Sequence, residues 1–420
     1  VVHDLFFLKK HLRVLFLLQI WSKIMPAAWR MLFTFVAGLS VFHIIGIDSP
    51  SVVFIGARLL ILACFLVGLG YTLHSRRYAL AFSHTCPGED QIRAKSLAIR
   101  IGLLVLLLYP TLMARLLPEW PTAVFNFEFL IVLPILLLAT PYYVRWAEGR
   151  MPRANDGYFY FGQAVLRQRP WHIQEHKALL LAWAVKLFFI PLMYSWLVEA
   201  VEMLLAFDWR LHPGVLVSGL FVFGLCIDLL IAASGYFFAS RLLGNDVLST
   251  DATLLGWLSC VICYPPLLSI LHAVKQQTDD LIWSDWLHSH EPLYWLWAAL
   301  ITASWLAYWL STVSFGLRFS NLSWRGLVDT GLYRYTKHPA YLSKNIYWWL
   351  YTVPFVGVEN TEDMLRNVLG LSFVSLVYYM RARTEERHLL AFEEYAAYAA
   401  RIEQEGLFAR FNRRLRRIMV

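Results

Sequence analysis

The residues best equipped for chemistry stand in two short stretches near the end of a 420-residue chain. The first reads Gly331-Leu-Tyr333-Arg334-Tyr335-Thr-Lys337-His338-Pro339-Ala-Tyr341-Leu-Ser343 and packs cations, tyrosines, a histidine and a proline into one run. The second reads Arg381-Ala-Arg383-Thr-Glu385-Glu386-Arg387-His388-Leu389. It continues into Phe392-Glu-Glu394-Tyr395-Ala-Ala-Tyr398-Ala-Ala-Arg401. Cationic and anionic clusters set side by side at a membrane edge are what a polar, zwitterionic ligand needs. Pro339 disfavours helical backbone at His338, so any preceding helix ends there and the loop aims its side chains. Taken one residue at a time, a plainer reading holds: Lys337 and Arg381 anchor span ends, and Glu385 and Glu386 pair with nearby arginines in an amphipathic tail.

Other groupings carry less. His172-Ile-Gln-Glu175-His176 has the H-x-x-E-H spacing of inverted zinc proteases, but no third ligand motif follows it. Cys260 and Cys263 have C-x-x-C spacing inside an apolar run, where two small hydrophobes before Pro265-Pro266 is the better account. Asp285, His288, His290 and Glu291 read as a solvated polar loop rather than a metal site. No metal is expected. The five cysteines, Cys64, Cys86, Cys226, Cys260 and Cys263, are too scattered to staple a fold.

The elements that must position these residues are membrane helices. Of the chain, 59% is hydrophobic and only 16% charged, with 18 Trp, 21 Tyr and 28 Phe; mean hydropathy is +0.52. Soluble domains carry about a quarter charged residues. An all-α, polytopic transmembrane bundle is therefore expected. Cutting the chain by the roughly 20 residues that cross a bilayer gives spans at 29–47, 52–73, 97–117, 123–144, 179–207, 214–238, 253–274 and 293–315. Two tighter segments, 343–358 and 364–380, form a helical hairpin and bring the count to about ten. A net charge of +8 without any nucleic-acid-binding motif reflects basic loops retained on the cytoplasmic side. Placing Lys9, Lys10, Arg13, Lys23 and Arg30 in the cytoplasm puts most loop cations there too, and with them both termini. Arg58, Arg100, Glu128, Lys186, Glu199, Glu202 and Asp228 are ionisable residues inside spans, with Asp228 the most conspicuous at mid-span.

Together the two C-terminal stretches resemble the isoprenylcysteine carboxyl methyltransferase and phospholipid methyltransferase superfamily of integral membrane enzymes. Its pattern is R-H-P-x-Y-x-G, a short hydrophobic hairpin, a Glu-Glu pair and an aromatic-rich amphipathic helix. Here these are Lys337-His338-Pro339-Ala340-Tyr341-Leu342-Ser343, Glu385-Glu386 and Tyr395/Tyr398. Order, spacing and topological setting agree over roughly residues 290–410. Lys337 replaces an Arg, keeping the charge but losing the bidentate fork. Ser343 replaces a Gly, adding a Cβ where backbone would approach a cofactor. The resemblance divides the chain into an N-terminal multi-span region, 1–290, and a methyltransferase-like module with a basic tail, 291–420.

The resemblance implies S-adenosylmethionine as cofactor, held by Tyr333, His338, Pro339, Tyr341, Arg381, Glu385, Glu386 and Leu389. Lys337 is the expected catalytic residue, holding an anionic acceptor. It further implies a lipidic or prenylated acceptor entering from the bilayer, a cytoplasm-facing active site, and the inner membrane if the host is bacterial. No nucleic-acid partner is expected. Two rivals remain: an NADPH-dependent reductase of the sterol reductase type, and a non-catalytic transporter or assembly protein using Asp228, Glu128 and Arg58 as pathway residues.

Overall fold

A computed structural model describes residues 27–46, 49–76, 87–117, 120–150, 155–209, 213–275 and 281–418. The basic stretch with Lys9, Lys10, Arg13 and Lys23 lies outside the described residues. The chain is an all-α bundle: α1 (Ala27–Ile45), α2 (Pro50–Ser75), α3 (Glu89–Leu116), α4 (Ala123–Glu148), α5 (Gly157–Val165), α6 (Ile173–Leu205) and α7 (Pro213–Phe237) come first. The strand β1 (Ser249–Thr250) follows, then α8 (Leu254–Val261), α9 (Leu268–Lys275), α10 (Trp283–Trp286), α11 (Pro292–Phe315) and β2 (Ser323–Trp324). The chain ends in α12 (Pro339–Thr352), α13 (Thr361–Leu389), α14 (Glu393–Glu405) and α15 (Leu407–Ile418).

Among the described residues seven helices, α1 to α4, α6, α7 and α11, are long and apolar enough to cross a membrane. By this measure the described residues fall short of the expected count of about ten. The run 253–274 is two short helices rather than one span: Thr253 caps α8 through Gly256 N, and Pro265-Pro266, lacking backbone donors, separates α8 from α9. The segment expected at 343–358 ends at Thr352, where Val353 turns left-handed (φ 42°) ahead of Pro354. The run at 364–380 lies inside α13, which is long but too polar at its ends to satisfy the same measure.

Most intramembrane charges are matched. Arg58 Nε bonds Glu128 Oε1 at 2.8 Å and its Nη1 also reaches Glu202, while Tyr194 donates to the other oxygen of Glu128. This joins α2, α4 and α6 where an unpaired charge would be costly. Arg100 donates to Leu137 O at 3.0 Å. Two close approaches set up the site. A Cβ on Gly224 would lie 1.7 Å from the indole of Trp309, so only glycine lets α11 press this near α7. One turn on, Asp228 accepts from Tyr308 Oη at 2.5 Å and Thr312 Oγ1 at 2.8 Å. Similarly, a Cβ on Gly370 would lie 2.3 Å from Val274 O, which brings α13 against α9.

The two parts of the chain are also knitted together near the polar end of the bundle. β1 pairs antiparallel with β2, Ser249 opposite Trp324. Arg325 is 4% exposed and donates to Gly235 O, Phe319 O and Asn245 O at 2.8, 2.7 and 2.8 Å. It thereby satisfies a carbonyl in the last turn of α7 that has no partner within the helix.

Candidate active site

Pro339 opens α12 at its first turn, where a missing N–H costs nothing, with His338 at the cap position. From there Tyr341, Lys344 and Trp348 recur at helical spacing on one face. On α13, Val374, Tyr378, Arg381 and Glu385 do the same. The two faces meet the inner surface of α7 and α11 around a cavity of about 310 Å³. Of the residues expected at the site, Tyr333, Lys337, His338, Tyr341, Arg381 and Glu385 line it. Asp228, Lys344, Tyr264, Asn321, Tyr308 and Tyr378 also line it and had no place among the expected binding residues.

Arg381 is 6% exposed, and its Nη2 donates to Asn321 Oδ1 at 3.1 Å and lies 3.8 Å from Cys260 Sγ. The guanidinium carbon is 5.3 Å from the Tyr341 ring centre and 5.9 Å from that of Tyr264. Among the described residues it makes no ion pair with a carboxylate. Lys344 likewise has no ion pair among the described residues, its ammonium resting 4.1 Å above the Tyr308 ring. Aromatic faces partly offset both cations. The anions opposite are held by hydroxyls: Tyr341 Oη donates to Glu385 Oε2 at 2.9 Å, and Tyr308 and Thr312 hold Asp228. Stacking of His338 on Tyr341, and of Tyr341 on Tyr378, gives the cavity an aromatic wall.

Three expected residues point elsewhere. Glu386 is one position from Glu385 and so faces the other side of α13, where Lys337 Nζ binds both Glu386 and, at 2.8 Å, Glu403 of α14. His338 Nε2 lies 3.8 Å and Arg383 Nη1 3.7 Å from the same carboxylate. His338 first, and then Lys337, hold the Glu386 carboxyl down at about 2 against the desolvation that opposes them. The Lys337 ammonium is correspondingly raised: burial lowers it, but Glu386 and Glu403 together outweigh that. Lys337, expected as catalytic, thus borders the cavity while its ammonium fastens α14 in place. Leu389 packs with Trp324, Tyr333, Tyr395 and Tyr398, and Pro339 is a buried helix start. Tyr398 Oη completes that cluster by donating to Tyr333 O at 2.8 Å.

Of the remaining motifs, Cys263 of the C-x-x-C pair lines this cavity, whereas the histidine motif and the polar loop fall outside it. His176 is buried against Phe161 and Trp171, and Glu175 pairs with Arg169 at 3.0 Å. Asp285 accepts from Ile282 N at 2.7 Å at the start of α10, and His288 lies 3.6 Å from Glu291.

A family model described as "Protein of unknown function (DUF1295)" matches residues 312–402. The match begins at the threonine that holds Asp228 and takes in β2, α12, α13 and most of α14. No curated protein and no solved structure matches the chain.

Proposed function

We propose that the chain is an integral membrane methyltransferase that uses S-adenosylmethionine to modify a lipidic acceptor. The observation that carries this reading is the pair of cavity cations, Arg381 and Lys344, that make no ion pair with any carboxylate of the described residues. A buried guanidinium without an anion is costly, so the pocket is built to be completed by one. The donor's features have counterparts here. Arg381 and Lys344 suit its carboxylate, Glu385 its ammonium or ribose hydroxyls, and the faces of Tyr341 and Tyr378 its adenine or sulfonium. At about 310 Å³ the cavity falls at the small end of ligand pockets.

When bound, the donor would supply an electrophilic methyl group, its carbon open to in-line attack by an acceptor lone pair with the C–S bond's electron pair leaving on sulfur. The protein's share is alignment and exclusion of water. Tyr341 fixes Glu385, Asn321 fixes Arg381, and Tyr308 with Thr312 fixes Asp228, so the polar groups are set before a ligand arrives. The acceptor is lipidic or isoprenoid because the cavity lies among membrane helices, and a soluble substrate would require no such setting. The bias of Lys and Arg among the loops supports a cytoplasmic site and cytoplasmic termini. In α15, exposed Leu407, Phe408 and Phe411 beside Arg410, Arg413 and Arg414 suit a helix lying on the bilayer surface.

Calorimetry of the detergent-purified chain with S-adenosylhomocysteine and with NADPH tests this reading. Micromolar binding of the former, abolished by Glu385→Ala, is expected. Binding of NADPH alone would transfer the protein to the reductases, and binding of neither would remove the enzymatic reading.

A further inference from the structure

A second and larger cavity, about 550 Å³, lies among α3, α4, α5, α6 and α7 in the part of the chain that the family match does not cover. Its walls change character along one axis. On α3, Lys95, Ile99, Gly102 and Leu106 all line it, and their spacing of four, three and four residues keeps them on one face. That face starts in the helix's charged first turns and runs into its apolar middle. On α4 the direction is reversed, from Phe129 at the apolar end to Glu148 at the polar end. The crossing contacts agree: Lys95 Nζ meets Glu148 at 2.7 Å at one end, and Phe125 N meets Ser195 Oγ at 3.2 Å near the other.

From Lys95 to Leu106 the helical rise gives a length of about 16 Å. On α4 the lining from Phe129 to Glu148 spans about 28 Å, so about 550 Å³ leaves a mean cross-section of about 20–34 Å², room for one hydrocarbon chain but not for two abreast. The polar end is already balanced in charge. Lys95 sits between Glu148 and Asp156 at 2.7 and 3.1 Å, and Arg241 stands 3.4 Å from Asp156 and 3.5 Å from Asp246. Lys186 donates to Ala239 O at 3.0 Å. A head group with a net charge would unbalance this set, whereas one offering both signs, or only hydroxyls and carbonyls, can join it.

We propose that this cavity binds a single-chain amphiphile with a net-neutral head group, its chain directed toward Leu106 and Phe129 and its head toward Arg241 and Asp246. β1 forms part of the wall at the head-group end and pairs with β2, so the occupant's head lies on the same side of the bundle as the first cavity. The site is distinct from the one assigned above to the methyl donor.

The probe is a lysophosphatidylcholine carrying a diazirine near the end of its acyl chain, photolysed with the detergent-purified full-length chain and mapped by peptide mass spectrometry. No methyl donor is present, so the outcome is independent of the reading of the first cavity. Saturable labelling is expected in peptides containing Leu103, Leu106 and Leu136, displaced by unlabelled lysophosphatidylcholine about tenfold better than by lysophosphatidylglycerol. Gly102→Phe and Ala182→Phe, each adding a ring to the cavity wall, should reduce labelling about tenfold in chains whose thermal midpoint is unchanged. Labelling spread over the bilayer-facing Leu104, Leu108 and Leu138 without saturation overturns the site. Equal or better displacement by the anionic lipid overturns the head-group assignment. Should both variants fail to fold, the competition measurement on the unaltered chain decides alone.

Discussion

Arg381 and Asn321 are joined by a 3.1 Å hydrogen bond from Nη2 to Oδ1, which aims a buried guanidinium into the cavity without neutralising it. Asn321 is itself held, its side-chain nitrogen donating to Tyr236 Oη at 2.9 Å and Tyr264 Oη at 3.1 Å. The cation is therefore positioned by neutral groups, and among the described residues it has no carboxylate partner. Arg381→Ala should weaken S-adenosylhomocysteine binding by at least about tenfold, in line with the 1.5–3 kcal/mol that hydrogen bonds to charged groups contribute. Calorimetry measures it, and unchanged affinity would remove Arg381 from the site.

Tyr341→Phe deletes a single hydroxyl that donates to Glu385 and leaves the ring in place. The expected loss is about 0.5–1.5 kcal/mol in ligand binding with little change in thermal midpoint. A large drop in midpoint with affinity retained would show that this bond serves the α12–α13 contact instead.

Glu386 provides a pH signature separate from ligand binding. Its carboxyl falls from an ordinary 4.5 to about 2 in the folded protein. Because the folded value is the lower one, its stabilising contribution is complete above about 4.5 and is lost as pH falls toward 2. Thermal midpoints between pH 6 and pH 3 should decline more steeply for the unaltered protein than for Glu386→Gln. Parallel declines would mean that the Lys337–Glu386 pair contributes nothing to stability.

Gly224→Ala should destabilise the bundle by about 1–3 kcal/mol, since the added methyl overlaps the Trp309 indole. Displacing α11 also withdraws Tyr308 and Thr312 from Asp228. Pairing the change with Trp309→Leu should restore much of the lost thermal midpoint. No rescue would place the strain elsewhere.

The helical bundle was legible from runs of apolar residues because lipid imposes a length that polarity at each end makes visible. Prolines caused the errors: Pro265-Pro266 divides an apolar run long enough to span, and Pro354 shortens another. The site was half legible. His338, Tyr341, Arg381 and Glu385 stand in recognisable local patterns, but Asn321 and Tyr264 join them only through packing, which one sequence does not display. Lys344 leaves a readable mark, a lone cation in an apolar segment beside the motif that carries the resemblance. Glu386 was misleading for a simpler reason. Adjacent residues on a helix point about 100° apart, so two consecutive glutamates serve two different surfaces.

Arg325 and the β1–β2 pair bear on whether the C-terminal stretch can live alone. The strand inside the family match has its partner outside it, and Arg325 is buried against carbonyls of residues 235 and 245. A gene fragment encoding only residues 291–420 would strip away those acceptors and leave a guanidinium with nowhere dry to sit. The catalytic candidate is thus grafted into its host rather than appended to it. Recombination that swaps this segment between proteins would have to carry the end of α7 and the following loop as well.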